Sequence, residues 1–274
     1  MTPAMLVLSA AVALLPQAAT PPSPPAAPAA AQTELSAEVL GQIYFLYLKG
    51  RSLDTRGDTQ GALAAFREAL ALGPTADVHA EIAGLYAREG RATDALAAGN
   101  AALRLNPKHH EAHRIIGLVQ SALADQMRSG SPDALRTEAI THLEQALDGT
   151  RDPSAELTLG RLYLETNNAK KSIATLTRFL VDRPDNPEAI VVLTEAYEQA
   201  GQVAEAARVL EPLAAGRPKL SRLHEHLGDL YFQLKKYREA AAAFDRALTG
   251  DRAGIDAAEL TRKRDRAKEL GGGH

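Results

Sequence analysis

From residue 43 onward, apolar residues return every three or four positions in blocks of about a dozen, separated by short polar stretches carrying Gly, Asn or Pro. That spacing predicts amphipathic helices, because positions i, i+3, i+4 and i+7 share one face of a 3.6-residue turn. Small residues then set the register. Aligning Gly50, Gly117, Gly160 and Gly228 in a first helix, and Ala62, Ala95, Ala139, Ala206 and Ala240 in a second, divides the chain into six units starting at residues 43, 76, 110, 153, 187 and 221. The intervals are 33, 34, 43, 34 and 34 residues, so one period dominates and the third unit carries nine extra residues. Self-similarity at this interval predicts stacked helical hairpins.

Composition supports that reading and narrows the function. A chain of 274 residues would ordinarily suggest about two globular domains, a prior that does not apply to a repeat array. Apolar residues make up 45% and aromatics only 4%, with neither Trp nor Cys, which leaves Ala and Leu as the interior of closely packed helices. The missing cysteines exclude disulfides, thiolate metal sites and a cysteine nucleophile. A net charge of −3 lacks the basic footprint of a general nucleic-acid binder or of polybasic membrane attachment.

The repeating residues carry a family resemblance. Leu159-Gly160-x-x-Tyr163 and Leu227-Gly228-x-x-Tyr231 match the first-helix core of a tetratricopeptide repeat; Ala62-x-x-x-Phe66 and Ala240-x-x-x-Phe244 match its second helix. Pro74, Pro107, Pro184 and Pro218 close four of the six units, as the family pattern asks. The chain thus resembles a tetratricopeptide-repeat protein. That resemblance implies an all-α, right-handed superhelical solenoid of six helix-turn-helix repeats over residues 37–254, ended by a capping helix. Gly and Ala fall where two helices cross too closely for a larger side chain.

Departures from the pattern are specific. The large aromatic usual in the fourth place of the first helix is replaced by Leu46, His79, His113, Glu156, Ile190 and His224, which predicts looser packing there. Ser172 stands where a small Ala is usual, and Phe179 and Leu213 replace the second Ala of units four and five. The insertion, near 125–134, reads as a lengthened first helix, a turn at Ser129 to Pro132 and a second helix opening near Asp133, either a tolerated loop or a protrusion that contacts a partner. Residues 255–270 predict one more helix with Leu260 and Ala267 inward and a charged outer face, followed by a tail at 271–274.

The first residues differ from all that follows. Ala4 to Leu15 is an uncharged apolar run too short for a comfortable membrane span, and a Pro/Ala tract follows it. This order predicts a signal peptide over residues 1–19 and a stiff linker over 20–36, hence a periplasmic or otherwise extracytoplasmic protein; a cytoplasmic one is the alternative if the leader is misread. The absence of Lys and Arg before residue 16 argues against export, and membrane contact is expected at most through this leader.

No phosphate loop, nucleophile elbow or dinucleotide fingerprint occurs, so no enzymatic activity and no cofactor are expected. His109, His110 and His113 come nearest to a metal motif, yet no carboxylate completes it in range, and the recurrence of His79, His113 and His224 at one repeat place predicts packing. By the resemblance, first helices line a concave groove. Its facing residues here are Tyr44, Tyr47, Arg51, Arg114, Leu118, Leu157, Arg161, Leu164, Val191, Arg222 and Phe232. Tyr and Arg are common anchors of protein contacts. Arg114 and Arg161 beside Leu118, Leu157 and Leu164 suit an apolar segment carrying a carboxylate, while Glu188, Glu195 and Glu198 make the fifth unit acidic. The Lys and Asn clamp of chaperone-binding members is not matched: its places hold Tyr47, Arg51, Glu81, Glu111 and Ile115. The expected function is a scaffold that binds a peptide segment or helix of another protein, with a self-assembling solenoid or a cytosolic regulatory subunit as alternatives.

Overall fold

A computed structural model describes residues 35–127, 131–251 and 255–272, and helices are the only regular elements among them. Six hairpins follow in chain order: α1 (Ala37–Thr55) with α2 (Thr59–Leu72), α3 (Ala76–Arg88) with α4 (Ala92–Leu105), and α5 (His110–Gln126) with α6 (Pro132–Ala146). Then come α7 (Pro153–Glu165) with α8 (Ala169–Asp182), α9 (Pro187–Gln199) with α10 (Val203–Ala215), and α11 (Ser221–Gln233) with α12 (Tyr237–Thr249), before a last helix, α13 (Ala257–Gly271). Five hairpins open at the residues where the repeat alignment starts its units. The first opens six residues earlier, at Ala37, because α1 has 19 residues. The expected leader and most of the linker lie outside the described residues. No described helix is long and apolar enough to cross a membrane.

Local chemistry explains the boundaries. Asp58, Thr75, Asp152, Asn168, Asn186 and Asp256 cap helix starts by accepting a backbone N–H, and Pro132, Pro153 and Pro187 occupy first-turn positions where a missing N–H costs nothing. Inside five hairpins the chain reverses through one residue of positive φ: Gly57, Gly90, Asn167, Gly201 and Lys235. The residue after each donates back five positions, as Lys236 does to the Tyr231 carbonyl at 2.9 Å, closing orphan carbonyls. Lys235, at φ 59°, carries a Cβ in a conformation that disfavours it. Lys235→Gly is therefore expected to raise stability by about 0.5–1 kcal/mol, read as a higher urea midpoint at unchanged slope; a lower midpoint would show that the lysine side chain matters more than the backbone.

Packing follows the small residues. Ala62, Ala95, Ala139, Ala206 and Ala240 are fully buried. A Cβ on Gly117 would stand 2.7 Å from Leu143, and one on Gly160 would stand 2.6 Å from Leu176, so these first helices lie directly on the side chain one turn beyond the small residue of the second helix. Ser172 replaces alanine at this crossing without penalty, because its hydroxyl donates to the Gly160 carbonyl at 2.8 Å. Phe179 and Leu213 are buried in the seams of their units. The extra residues of the third unit lengthen α5 to 17 residues, against 13 in α7, and α6 starts at Pro132, one residue before the expected opening; residues 129 and 130 of the expected turn lie outside the described residues. Leu260 and Ala267 of α13 are fully buried on the last hairpin, which closes that end of the solenoid.

The fourth-place residues are not uniformly loose. His113, Glu156, Ile190 and His224 are buried. Nε2–H of His113 donates to the Pro107 carbonyl at 3.0 Å, which leaves Nδ1 to accept from the Nδ1–H of His142 at 2.8 Å. His224, 1% exposed, makes no hydrogen bond of ordinary length on either ring nitrogen. Burial depresses its pKa, helped by the Arg246 charge and opposed by the Arg217 backbone. Because the folded value lies below the unfolded one of about 6.5, the unfolded chain protonates first. The histidine's stability contribution is whole above about pH 6.5 and falls as the pH drops below it. His224→Phe, restoring an apolar ring, is expected to raise stability by about 1 kcal/mol and to shrink the melting-temperature difference between pH about 7.5 and 5.5. An unchanged pH profile would remove His224 as its source.

Candidate partner-binding surface

The first helices place equivalent residues in rows. The ninth residue of each unit reads Arg51, Gly84, Leu118, Arg161, Glu195 and Asp229, so this face has two basic places with uncharged ones between them and is acidic in the last two units. Neighbouring first helices are stitched along it by polar contacts one repeat apart. Arg51 donates to Glu81 at 2.9 Å and to the Tyr47 hydroxyl, which itself donates to Glu81. Arg88 holds both carboxylate oxygens of Asp54 at 2.7 Å. Arg161 reaches Asp125 at 2.7 Å and the Ser121 hydroxyl at 3.0 Å. Further along, His226 meets Glu198 at 2.6 Å, and Lys263 of α13 meets Glu225 and Asp229.

Between α3 and α5 the face opens into a depression of about 390 Å³. Its lining is Gly84, Ala87, Arg88, Arg114, Ile115, Leu118, Val119 and Ala122. The cause is local: where neighbouring repeats carry Arg51, Leu118 and Arg161, the second repeat has Gly84, and the missing side chain leaves room above small and aliphatic residues. Two guanidinium groups stand at its rim. Arg114 is held bidentately by Glu111 at 2.7 and 2.5 Å, and Arg88 by Asp54. Glu111 is half exposed, so its pairing with Arg114 is worth about 0–1 kcal/mol and exchanges readily for another carboxylate.

The residues expected from sequence to line one groove fall into several settings. Arg114 and Leu118 meet in the α3–α5 depression. Tyr44 and Tyr47 stack at 6.5 Å beside a second depression of about 420 Å³ shared by α1 and α3. Leu157 and Leu164 are half-buried against the α8–α9 core, and Val191 packs similarly beside α10. Phe232 sits edge-on to Tyr237 with centroids 5.3 Å apart, packed toward α12. Arg222 is exposed. Arg51 and Arg161 are bonded within the protein, which lowers the free positive charge that the sequence suggests. Gly84, Ala87, Arg88, Ile115, Val119 and Ala122 were not legible as site residues; a glycine at a place held by long side chains in the adjoining units is the signal that marks them.

Each of the three clustered histidines has its own structural partner. His109 accepts the Ala112 N–H and donates to Asp77 at 3.0 Å, His110 donates to the Gln145 carbonyl, and His113 pairs with His142. Among the described residues no group of three or more metal-ligating side chains converges.

These features define an all-α solenoid of helical hairpins whose first helices present an extended, chemically graded face. The chain belongs to the tetratricopeptide-repeat family, whose model matches residues 47–120, 157–211 and 191–258. No curated protein matches the sequence. Among solved structures, a tetratricopeptide repeat protein from Parabacteroides merdae is 18% identical, with 85% of this chain and 88% of that one aligned at a TM-score of 0.53. YrrB, described as a TPR protein with an unusual peptide-binding site, is 18% identical over 72% of this chain and 92% of its own, at 0.56. MamA is 19% identical over 70% and 94%, at 0.54. At these identities the likeness is one of fold.

Proposed function

We propose that this protein is a non-enzymatic interaction scaffold that seats an apolar segment or helix of a partner protein on the first-helix face, centred on the depression between α3 and α5. The observation carrying the proposal is that depression: a floor of Gly84, Ala87, Ile115, Leu118 and Val119 under two rim guanidiniums. Apolar side chains of a partner fill the floor, and a carboxylate on the partner exchanges with Glu111 for Arg114. The hairpins are preformed, so little ordering cost is incurred on binding. YrrB supports the reading as a solenoid of this fold with a peptide-binding site. The apolar leader and Pro/Ala tract add that the scaffold works outside the cytoplasm, in a bacterial cell-envelope assembly.

A photo-crosslinking residue at Leu118, compared with one at Glu68 on α2, tests the site in the native host. Capture of one protein from Leu118 alone, lost when Ala87 is replaced by Glu, is the expected result. Equal capture from both positions would sink the site. The mass of the mature N-terminus tests export, and an intact residue 1 with cytosolic partners would overturn it.

A further inference from the structure

The two ends of the solenoid are finished differently. At the C-terminal end, α13 covers the last hairpin and turns Arg262, Asp265, Arg266, Lys268 and Glu269 to water. At the N-terminal end, α1 leaves Phe45 66%, Tyr44 62%, Leu40 49% and Leu48 47% exposed. The other exposed large apolar residues among those described are scattered singly along the chain, whereas these four share one helix. A contiguous patch of this kind marks an interaction surface.

Its pattern identifies the occupant. The outward stripe of α1 reads Gly41, Phe45, Leu48 and Ser52, all exposed, with spacings of 4, 3 and 4. It is small, large, large, small, and therefore reads the same from either end. Antiparallel pairing of α1 with another α1, about a two-fold axis between residues 46 and 47, sets Phe45 against Leu48 and Gly41 against Ser52. An isologous interface requires that self-complementarity. Charge agrees: in this register Lys49 meets Tyr44, Arg51 meets Gln42 and Glu38 meets Thr55, so no charge faces its like. Gly41 gives independent support. A Cβ there would touch nothing within 4 Å, so no packing among the described residues explains a glycine that costs its helix about 1 kcal/mol; close approach of a second helix does.

We infer that two copies of this chain associate through an antiparallel α1–α1 contact, leaving the depression between α3 and α5, to which α1 contributes no residue, free in both copies. A 19-residue helix is about 28 Å long, and one such pair buries less than the roughly 800 Å² per partner of a standard interface, so the dimer is weak and its population depends on concentration.

Sedimentation of the full chain from about 1 to 300 µM tests the inference. A reversible monomer–dimer equilibrium is expected, with Phe45→Glu weakening association at least tenfold. Gly41→Leu, which improves helix propensity while blocking approach, is expected to weaken it similarly and to leave a folded monomer. Leu118→Glu should leave dimerisation unchanged, which separates this interface from the proposed partner site. For register, a short bismaleimide should join a Gly41→Cys chain to a Ser52→Cys chain far better than either to itself. A monomer throughout the range, as when α1 is covered by the chain's own leader or reserved for another protein, would overturn the inference. So would a dimer that Phe45→Glu and Gly41→Leu leave intact.

Discussion

Gly160→Val is expected to destabilise the protein by about 2–4 kcal/mol, the largest single effect anticipated in the repeat array. The added Cβ would stand 2.6 Å from both Cγ and Cδ2 of Leu176, which is fully buried. Relief requires α7 and α8 to separate. That movement also stretches the buried hydrogen bond from the Ser172 hydroxyl to the Gly160 carbonyl, adding about 1 kcal/mol to the steric cost. Urea denaturation followed by circular dichroism measures the loss, and Leu176→Ala in the same chain should return part of it by vacating the contested volume. A Gly160→Val protein with a wild-type midpoint would mean that the helices do not cross where described.

Removing Arg151 and Arg178 together is expected to cost about 2–3 kcal/mol, whereas Glu156→Leu should change stability by less than about 1 kcal/mol. Glu156 is 2% exposed at the fourth place of α7. Arg151 grips both of its oxygens at 3.0 and 3.1 Å, and Arg178 approaches at 3.5 Å. Loss of both guanidiniums strands a carboxylate out of water; the partial exposure of the arginines keeps the cost below that of a fully buried pair. Replacing the carboxylate instead leaves the arginines at the surface, with Asp182 still 3.0 Å from Arg151. Leu46 and Ile190 show that an aliphatic residue suits this place in other units. Equal losses in the two variants would show the ion pair to be incidental.

The proposed partner site and the α1 contact draw on different parts of the chain. One depends on a glycine whose absent side chain opens the face between two repeats; the other depends on the apolar stripe of α1. A scaffold that pairs weakly through its N-terminal ends would present two copies of its α3–α5 depression, so a partner with two binding segments would gain avidity without any new contact.

Hairpin register, the order of first and second helices and the closing helix were legible in sequence because they rest on short-range physics. Amphipathic periodicity, proline stops and small residues at crossings act within one repeat or between its two helices. Five unit starts coincide with helix starts for that reason, and Leu260 and Ala267 are buried as their inward spacing predicts. What only the tertiary structure decided is which long side chains meet, both between repeats and between the two helices of one repeat. It commits Arg51 to Glu81 and Arg161 to Asp125, brings His142 to His113, pairs Glu156 with Arg151 and with Arg178 of α8, and opens the depression over Gly84. Such contacts join residues up to about one repeat apart, and the phase between stacked hairpins and the rotamers of long side chains fix them; periodicity along a single helix carries no information about either.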